Sequence, residues 1–219
     1  MIIVGICGGS GSGKSTFAER IRDGLSCSCE IMRLDCYYFD QGGKPFEERT
    51  KVNYDSHEIF DFDEMLEDIR LLLDGKPVTR KGYNYAEHRR DDSEELMYPP
   101  EVLIIEGIHV FYDDRICDIM NLKLFIKVDS DICLLRRIAR DMNERGRSLE
   151  SISEQYKATV KPMREKYIDK YIDKADVVVM RGGMNEQALK TTISYLKSCV
   201  KEQRPAESEK NESDGNDSE

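Results

Sequence analysis

The chain begins with the sixteen residues MIIVGICGGSGSGKST, Met1 to Thr16. Ile2–Cys7 is apolar, rich in β-branched side chains and too short for a helix, so it predicts a buried strand. Gly8–Ser15 fits the pattern G-x-x-x-x-G-K-[ST], and the helix formers of Thr16–Leu25 follow it. A strand, a glycine-rich loop and a helix in this order are the context of a phosphate-binding P-loop.

The residue types of this loop suit a bound polyphosphate. Glycines let successive backbone N–H groups turn towards one anion, and the helix that begins at Lys14 adds the positive end of its dipole. Lys14 can reach the β- and γ-phosphates, and the Ser15 hydroxyl can ligate Mg²⁺. The alternative is a flexible Gly/Ser turn. The residues expected to hold the nucleotide are Gly8, Gly9, Ser10, Gly11, Ser12, Gly13, Lys14, Ser15 and Thr16.

The composition of the chain argues against several classes of protein. Its 219 residues are 39% hydrophobic and 35% charged, which suits one domain with one core. The net charge of −10 argues against binding to nucleic acid. No apolar run approaches the roughly 20 residues that span a membrane. Seven cysteines without zinc-type spacing are typical of free thiols in a reducing cytosol, so we predict a cytoplasmic protein.

Short apolar runs alternate with helical patterns, which predicts an α/β fold of the P-loop NTPase type. We expect a five-stranded, mostly parallel sheet with helices on both faces. The expected strands are Ile2–Cys7, Glu30–Leu34, Glu101–Glu106, Leu122–Val128 and Ala175–Met180, and the expected helices are 16–25, 62–73, Asp131–Glu144, one that starts at Ser151 and is interrupted near Pro162, and Asn185–Lys201.

Local patterns add detail to this outline. Asp61 and Glu64 form a capping-box pattern at the start of the second helix. Residues 77–100 are polar and aromatic, and they predict a β-hairpin flap over the sheet. Residues 203–219 predict a disordered acidic tail, so we expect the folded domain to cover 1–202. The third helix carries an apolar side formed by Ile132, Leu135, Ile138, Ala139 and Met142.

Two acidic residues stand where parallel strands end, which is where open α/β sheets bind ligands. Glu106 ends the third strand like a Walker B acid, which holds Mg²⁺ directly or through water. Asp35 follows the second strand and could accept a proton from a phosphoryl acceptor, provided that this strand lies near the first. The alternatives are an ordinary strand-end acid and a turn aspartate. We expect the metal site at Ser15, Asp35 and Glu106.

Basic residues are concentrated in one segment of this acidic chain. Five arginines fall within twelve residues, and Gly146 separates the last two. Arginine forks suit the spread charge of a transferring phosphoryl group, and a glycine-hinged loop could close over the nucleotide as a lid. We expect this lid at about 140–150, and the alternative is a solvated helix face. The five are Arg136, Arg137, Arg140, Arg145 and Arg147.

Aromatic residues are concentrated in the irregular segments. They could stack on a base ring or form a small satellite core under the flap, and the two interpretations are equally favoured. His88 lies among polar residues, so it is either a surface histidine or a ligand-binding one. The aromatic residues are Tyr37, Tyr38, Phe39, Tyr54, Tyr83 and Tyr85.

Seven segments together resemble the uridine kinase (uridine–cytidine kinase) family of the phosphoribulokinase/uridine kinase group. The resemblance covers roughly residues 1–200, and the order and spacing of the segments make it specific. The segments are GGSGSGKST at 8–16, LDCYY at 34–38, NYDSHEIFDFDEM at 53–65, YNYAEHRR at 83–90, VLIIEGIHVF at 102–111, RDMNERGRSLESISEQY at 140–156 and ADVVVMRGGMN at 175–185.

The resemblance implies a role for each matching residue. Asp35 would be the catalytic base for a nucleoside 5′-hydroxyl, helped by Lys14 and the lid arginines. Asp55 would bind the ribose hydroxyls, with Tyr38 near the sugar. Tyr83 and His88 would hydrogen-bond the base edge, Tyr85 would stack on the base, and Ile108 would form the floor of the pocket. The lid and the helix after it would supply Arg137, Arg140, Arg145, Arg147 and Gln155.

The chain departs from the family pattern at several positions. Ser56-His57-Glu58 replaces the expected His-Pro-Asp after Asp55. Tyr85 stands where Phe is common, and Asn84 replaces the usual Asp. The acidic C-terminal tail matches no part of the pattern. These departures bear on which nucleoside is bound more than on which reaction is catalysed.

The resemblance therefore predicts an enzyme that uses ATP or GTP with Mg²⁺ to phosphorylate uridine, and cytidine as well, at the 5′-hydroxyl. It also implies a homotetramer. The alternatives are a kinase of the same group that acts on ribulose phosphate, pantothenate or another small alcohol, and a nucleotide-binding regulator without catalysis. A GTPase switch is disfavoured because no [NT]-K-x-D signature follows the fourth strand.

Overall fold

The apolar segment Ile2–Cys7 forms the central strand of a five-stranded sheet. The structure is a computed structural model that describes residues 1–204. All four strand pairings in this sheet are parallel, and a separate antiparallel pair forms a hairpin. The strands are β1 (Ile2–Cys7), β2 (Cys29–Arg33), β3 (Val78–Asn84), β4 (Arg89–Met97), β5 (Val102–Gly107), β6 (Leu122–Lys127) and β7 (Val177–Met180).

The strand order in the large sheet is β2-β5-β1-β6-β7. The predicted second strand therefore does not lie beside the first, because β5 is inserted between them. The chain leaves β1 towards one edge of the sheet and later returns to the other side of β1 with β6. This reversal makes a crevice at the carboxyl ends of the strands, directly after β1, where the glycine-rich loop begins.

Helices cover both faces of the sheet, as predicted. Phe17 and Ile21 of the first helix and Leu196 of the last one pack with the β1 side chains of Ile2, Val4 and Ile6. The alternate β1 side chains belong to a second core that includes Met65 and Ile69. The helices are α1 (Lys14–Gly24), α2 (Phe46–Arg49), α3 (Phe62–Leu73), α4 (Asp114–Cys117), α5 (Ser130–Arg145), α6 (Leu149–Gln155), α7 (Lys161–Lys166) and α8 (Glu186–Gln203), with 3₁₀ turns at Leu34–Tyr37, His57–Ile59 and Ile168–Lys174 and a π-helical turn at Tyr156–Val160.

The predicted hairpin is formed by β3 and β4. Its register shifts between Lys81 and Tyr83. Arg90 fastens it to the body of the domain, because Nε donates to the backbone oxygen of Tyr38 at 2.8 Å and the guanidinium also pairs with Glu64. The Tyr83 ring packs against that of Tyr38, with 4.7 Å between centroids. These contacts hold the tip of the hairpin near the end of β2.

The start of α3 contains half of the predicted capping box. The Asp61 carboxylate accepts a hydrogen bond from the backbone N–H of Glu64 at 2.9 Å, as an N-cap does. The Glu64 carboxylate does not return to the Asp61 backbone, because it pairs with Arg90 of the hairpin. The Asp61 N–H instead donates to the Tyr37 oxygen at 2.7 Å. Tertiary contacts therefore replace the second half of the motif.

The predicted start of the helix after α5 was wrong by two residues. The helix begins at Leu149 rather than Ser151, because the hydroxyl of Ser148 accepts from the Ser151 N–H at 3.2 Å and caps it. The predicted interruption near Pro162 is present as the π-helical turn Tyr156–Val160. Pro162 itself lies in the first turn of α7, where a proline lacks only an N–H that the turn can spare.

The sequence located the apolar side of α5 but did not predict which side of the helix faces the core. Its apolar side is turned outwards: Leu135 is 62% exposed, Met142 is 47% exposed and Ile132 is 40% exposed. The buried side chains of this helix are Cys133, Arg137 and Asp141. The charged side faces inward because Arg137 and Asp141 form ion pairs and hydrogen bonds there.

The C-terminal helix α8 extends to Gln203, one residue into the predicted acidic tail. Arg204 then pairs with Glu101 at 2.8 Å. The rest of the predicted tail lies outside the described residues. Within residues 1–204, no helix is both long enough and apolar enough to cross a membrane.

Candidate active site

The glycine-rich loop curls tightly between β1 and α1. Gly11 and Gly13 have φ angles of +84° and +90°, which favour glycine. A Cβ at Gly11 would clash with the backbone oxygen of Cys133, and one at Gly13 would press on Gly183. No side chain caps the N-terminus of α1. Its first N–H groups and its dipole are therefore available to an anion.

The crevice next to this loop gathers residues from almost every predicted motif. They come from the P-loop, the turn after β2, the hairpin, the segment after β5 and the helices α5 and α6. The lining residues are Ser10, Lys14, Asp35, Tyr38, Tyr54, Asp55, Tyr83, Tyr85, His88, Ile108, Arg137, Arg140, Arg145, Arg147 and Gln155.

The crevice is cationic although the chain is acidic. Lys14 and four arginines line it, against only two carboxylates, Asp35 and Asp55. Among the described residues, Lys14 has no hydrogen-bond or ion-pair partner. An unpaired ammonium beside an uncapped helix N-terminus is suited to a phosphate chain. A nucleotide polyphosphate therefore fits the residues present.

Ser15 and Glu106 form the part of the crevice that suits Mg²⁺. The Ser15 hydroxyl donates to the Glu106 carboxylate at 2.9 Å, and oxygen ligands are those that Mg²⁺ prefers. Burial raises the pKa of Glu106, while the nearby charge of Lys14 opposes the rise. Residues 1–204 contain no cluster of three or more acidic, histidine or cysteine side chains for a metal. Phosphate oxygens and water would complete the coordination of a bound ion.

Asp35 reaches the crevice from the 3₁₀ turn Leu34–Tyr37 that follows β2. One of its oxygens accepts a hydrogen bond from the Tyr85 hydroxyl at 2.6 Å. The Tyr85 ring in turn lies 4.0 Å under the guanidinium of Arg145. The hairpin, the turn after β2 and the end of α5 thus meet at one carboxylate.

Asp55 is 6% exposed and is held from two sides. Oδ2 accepts from the Thr159 hydroxyl at 3.1 Å, and Oδ1 lies 3.9 Å from the Arg137 guanidinium. The backbone oxygen of Asp55 accepts a hydrogen bond from His109 Nε2 at 2.7 Å. Burial raises the pKa of the Asp55 carboxyl, and Arg137 opposes the rise.

His109 is fully buried and neutral. A carbonyl oxygen only accepts, so Nε2 carries the proton, and Nδ1 accepts from the Tyr171 hydroxyl at 2.9 Å. Burial lowers the pKa of His109 to about 4. The ring therefore links the 3₁₀ turn Ile168–Lys174 to the segment that carries Asp55.

The arginines of α5 and the following loop share one buried carboxylate, Asp141, which is 0% exposed. Arg140 pairs with it at 2.8 Å, Arg145 and Arg147 at 3.4 Å and Arg137 at 3.5 Å. We call these five residues the arginine cluster. A single carboxylate cannot neutralise four guanidinium groups, so the cluster keeps a net positive charge towards the crevice.

Gln155 adds a second link within this region. Its Oε1 accepts from Arg137 at 2.8 Å and from Arg147 at 2.6 Å. The other Nη of Arg137 donates to the Ser10 hydroxyl of the P-loop at 2.9 Å. Arg136 points elsewhere, with Nη1 3.5 Å from the Ser12 backbone oxygen.

The hairpin contributes the aromatic wall of the crevice. The rings of Tyr54 and His88 are stacked with 5.0 Å between centroids, and the Tyr54 hydroxyl donates to the His88 backbone oxygen at 3.3 Å. His88 has a φ of +52°, so it turns the tip of the hairpin in the left-handed region. Burial lowers the pKa of His88, and the nearby Arg147 lowers it further.

Sequence reasoning missed three residues of this arrangement. Asp141 anchors the arginines, and His109 and Thr159 hold Asp55. Tyr54, one of the aromatic residues expected to stack on a base or to form a satellite core, lines the crevice. The one local signal was Asp141, an acid within a run of arginines. The other contacts join segments that are far apart in the chain.

Comparison with known proteins identifies relatives over most of the chain. The model of the phosphoribulokinase/uridine kinase family matches residues 3–188. A uridine kinase of Ligilactobacillus salivarius is 41% identical over 201 residues, which are 91% of this chain and 94% of the relative. A uridine kinase of Streptococcus uberis is 43% identical over 202 residues, 92% and 96% of the two chains.

Solved structures show a similar fold at low identity. A protein described as a "possible uridine kinase" of Bacillus stearothermophilus has a TM-score of 0.56 and 16% identity, over 81% of this chain and 87% of the other. The phosphoribulokinase of Rhodobacter spheroides has a TM-score of 0.56 and 13% identity, over 82% and 69%. Both share the P-loop kinase fold with this chain.

Proposed function

The chain belongs to the phosphoribulokinase/uridine kinase family, and from this premise we propose that it transfers the γ-phosphoryl group of a nucleoside triphosphate to the 5′-hydroxyl of uridine. Cytidine is a second acceptor in this proposal. Relatives named uridine kinase cover more than nine-tenths of the chain at about two-fifths identity, which supports the reaction.

One observation carries the proposal for the site: Lys14 of the P-loop, Asp35 and Asp55 line the same crevice. Phosphoryl transfer needs a donor phosphate held in line with the acceptor oxygen, and little covalent chemistry from the protein. The P-loop holds the donor. Asp55 binds the ribose hydroxyls, and Asp35 takes the proton from the 5′-hydroxyl as the bond to phosphorus forms.

Charge neutralisation comes from the cationic residues of the crevice. Lys14 contacts the β- and γ-phosphates, and Arg140, Arg145 and Arg147 stabilise the charge on the transferring group. Mg²⁺, when bound near Ser15, Asp35 and Glu106, neutralises the phosphate oxygens. The nucleotide donor in this proposal is ATP or GTP.

The hairpin supplies recognition of the base. Tyr83 and His88 hydrogen-bond the edge of the pyrimidine, Tyr85 stacks on its face, and Ile108 closes the floor of the pocket. Tyr38 lies near the sugar. Arg137 and Gln155, which are hydrogen-bonded to each other, line the side of the pocket next to the lid. A neutral His88 can donate and accept, which suits both uracil and cytosine edges.

The proposed domain bounds, cellular location and oligomeric state follow from the resemblance to the uridine kinase family. One kinase domain covers about residues 1–202, with the flap at about 77–100 and the lid at about 140–150. The protein works in the cytoplasm as a homotetramer. Uridine and nucleotide are its small-molecule partners, and nucleic acid is not among them in this proposal because the chain has a net charge of −10.

A substrate panel tests the proposed function. Purified protein with Mg²⁺ and ATP is offered uridine, cytidine, adenosine, ribulose 5-phosphate and pantothenate, and release of ADP is measured. We expect release with the two pyrimidine nucleosides and UMP as the product with uridine. Activity on ribulose 5-phosphate but not on uridine would refute the proposal, as would ADP release that does not depend on any acceptor.

A further inference from the structure

The hydroxyl of Tyr85 is hydrogen-bonded to Asp35, the carboxylate that acts as the base in the proposed reaction. It donates a hydrogen bond of 2.6 Å to Oδ2 of Asp35. Hydrogen bonds to a carboxylate are among the strong ones in proteins. One of the two carboxylate oxygens that could accept the proton of the acceptor hydroxyl is therefore already engaged.

The Tyr85 side chain is fixed in this orientation by its neighbours. The Arg145 guanidinium lies over its ring at 4.0 Å, and the Tyr83 ring meets it edge-on at 5.1 Å. The Asp35 carboxylate can only accept, so the Tyr85 hydroxyl is the donor in this hydrogen bond. Phenylalanine, the residue common at this position in the family pattern, could not make this bond.

A phenol hydroxyl and a primary alcohol can each donate one O–H hydrogen bond to a carboxylate. Water can donate in the same way, and it is the unwanted phosphoryl acceptor in any kinase. If water reached Asp35, its proton would pass to the carboxylate while its oxygen bonded to the γ-phosphorus. The bond from that phosphorus to the bridging oxygen would break, giving ADP and phosphate.

We propose that the Tyr85 hydroxyl is a positioning group that covers Asp35 until the acceptor hydroxyl displaces it, and that it thereby limits hydrolysis of the nucleotide in the absence of nucleoside. This inference rests on the proposed function, in which Asp35 is the base. It assigns to Tyr85 a role that its ring alone does not have, since only the hydroxyl reaches Asp35.

The test is the rate of ADP release from Mg²⁺ and ATP without any nucleoside, in the wild type and in Tyr85→Phe. The substitution removes one oxygen and keeps the ring under Arg145. We expect the nucleoside-independent rate to rise about tenfold, the equilibrium factor of one charge-assisted hydrogen bond. A rate within about twofold of the wild type would overturn the inference.

Two further variants separate this role from general loosening of the site. Tyr37→Phe is the matched control, because the Tyr37 hydroxyl donates to Asp68 at 2.7 Å and Tyr37 does not line the crevice. It should leave nucleoside-independent hydrolysis at the wild-type level, and an equal rise there would refute the inference. In Tyr85→Phe combined with Asp35→Asn the rise should vanish, and a rise that persists would refute it too.

The proposed function is examined in a separate arm of the same assay. Uridine-dependent ADP release by the wild type reports on the function, whereas nucleoside-independent release by Tyr85→Phe reports on the hydroxyl. Wild-type protein that ignores uridine would refute the function. Wild-type protein that responds to uridine, with no gain of hydrolysis in Tyr85→Phe, would refute only the role of Tyr85.

Discussion

At the residue scale, Asp55 depends on groups from distant parts of the chain. Thr159 and Arg137 meet its two carboxylate oxygens, and His109 holds its backbone oxygen. The loop after Asp55 differs from the family pattern at Ser56-His57-Glu58. The tertiary contacts fix the carboxylate in spite of this difference, so the role proposed for Asp55 in binding ribose does not require the usual His-Pro-Asp sequence.

Asp55→Asn tests the contact with the ribose. A hydrogen bond to a charged group is worth about 1.5–3 kcal/mol, so kcat/KM for uridine should fall by about tenfold to a hundredfold. The loss with 2′-deoxyuridine should be smaller, because that substrate lacks one of the two hydroxyls. Steady-state kinetics with both nucleosides measure the ratio. An equal proportional loss with the two substrates would contradict the assignment.

His109→Gln tests the role of a neutral buried histidine in stability. The folded pKa is about 4 and the ordinary value is 6.5, so between these values the unfolded chain binds a proton that the folded chain does not. The contribution of the neutral His109 ring to the free energy of unfolding is therefore present above pH 6.5, and it is lost as the pH falls towards 4. At pH 5 the loss amounts to roughly 2 kcal/mol.

The measurement is urea unfolding of the wild type and of His109→Gln at pH 7.5 and pH 5. The wild type should lose more stability than the variant over this interval, by the amount given above. His57 and His88 titrate in both proteins and cancel in the comparison. Equal losses in the two proteins would show that His109 is not the group responsible.

The residues proposed to contact the nucleotide could be singled out from the sequence, but those that support the site could not. Lys14 and Ser15 belong to a contiguous motif, and Asp35 and Glu106 follow apolar runs. His109 contacts Asp55 and Tyr171, which lie 54 and 62 positions away. No local pattern records such a contact, because it depends on how the whole chain is folded.

At the element scale, α5 reverses the usual relation between an apolar stripe and the core. The helix buries Arg137 and Asp141 and exposes Leu135. The sequence correctly located the apolar stripe along α5. Which side of the helix faces inward is decided by the groups that bind its arginines. A buried guanidinium needs a carboxylate or another acceptor, and Asp141, Ser10 and Gln155 supply these.

Asp141→Asn tests the arrangement of the arginine cluster. Asp141 acts through the arginines as a positioning residue, and without its charge they lose their common anchor. We expect kcat for uridine phosphorylation to fall about tenfold to a hundredfold, while KM for uridine changes by less than about threefold, because Asp55 and the hairpin still bind the nucleoside. Glu144→Gln, an exposed change on the same helix, is the control.

Two outcomes would contradict this role of Asp141. One is a rise in KM for uridine as large as the fall in kcat, which would indicate a general disturbance of the crevice. The other is an equal effect of Glu144→Gln, which would mean that any loss of negative charge from α5 is sufficient.

The strands were predicted more completely than their arrangement. Each of the five apolar runs is a strand of the sheet, with ends that differ from the predicted ones by at most two residues. The insertion of β5 between β1 and β2 was not predicted, because strand order depends on the crossovers and not on the strands themselves. It does not separate Asp35 from the P-loop, since the 3₁₀ turn after β2 carries Asp35 into the crevice.

At the scale of the whole molecule, an acidic protein presents one cationic crevice. The net charge is −10, yet five cationic side chains line the site. This distribution concentrates attraction for a nucleotide polyphosphate at the crevice. The apolar residues of α5 and of the edge strand β7, where Val177 and Met180 are exposed, lie outside the crevice.

Leu135→Asp tests the proposed homotetramer through the exposed side of α5. The chain has a mass of 25.3 kDa, and light scattering should give a multiple of this value for the wild type. A charge in an apolar interface is unfavourable, so the variant should form a smaller species. Leu73→Asp, at an exposed leucine of α3, should leave the mass unchanged. A wild type of monomeric mass would contradict the proposal.

The most direct test of the whole account is uridine phosphorylation by Asp35→Asn. The account predicts that the variant binds ATP and uridine as the wild type does, while the rate of UMP formation falls by about two to four orders of magnitude, the contribution of a general base. Calorimetry measures the binding and product analysis measures the rate. Full turnover in this variant would contradict the assignment of Asp35, and with it the reaction proposed for the crevice.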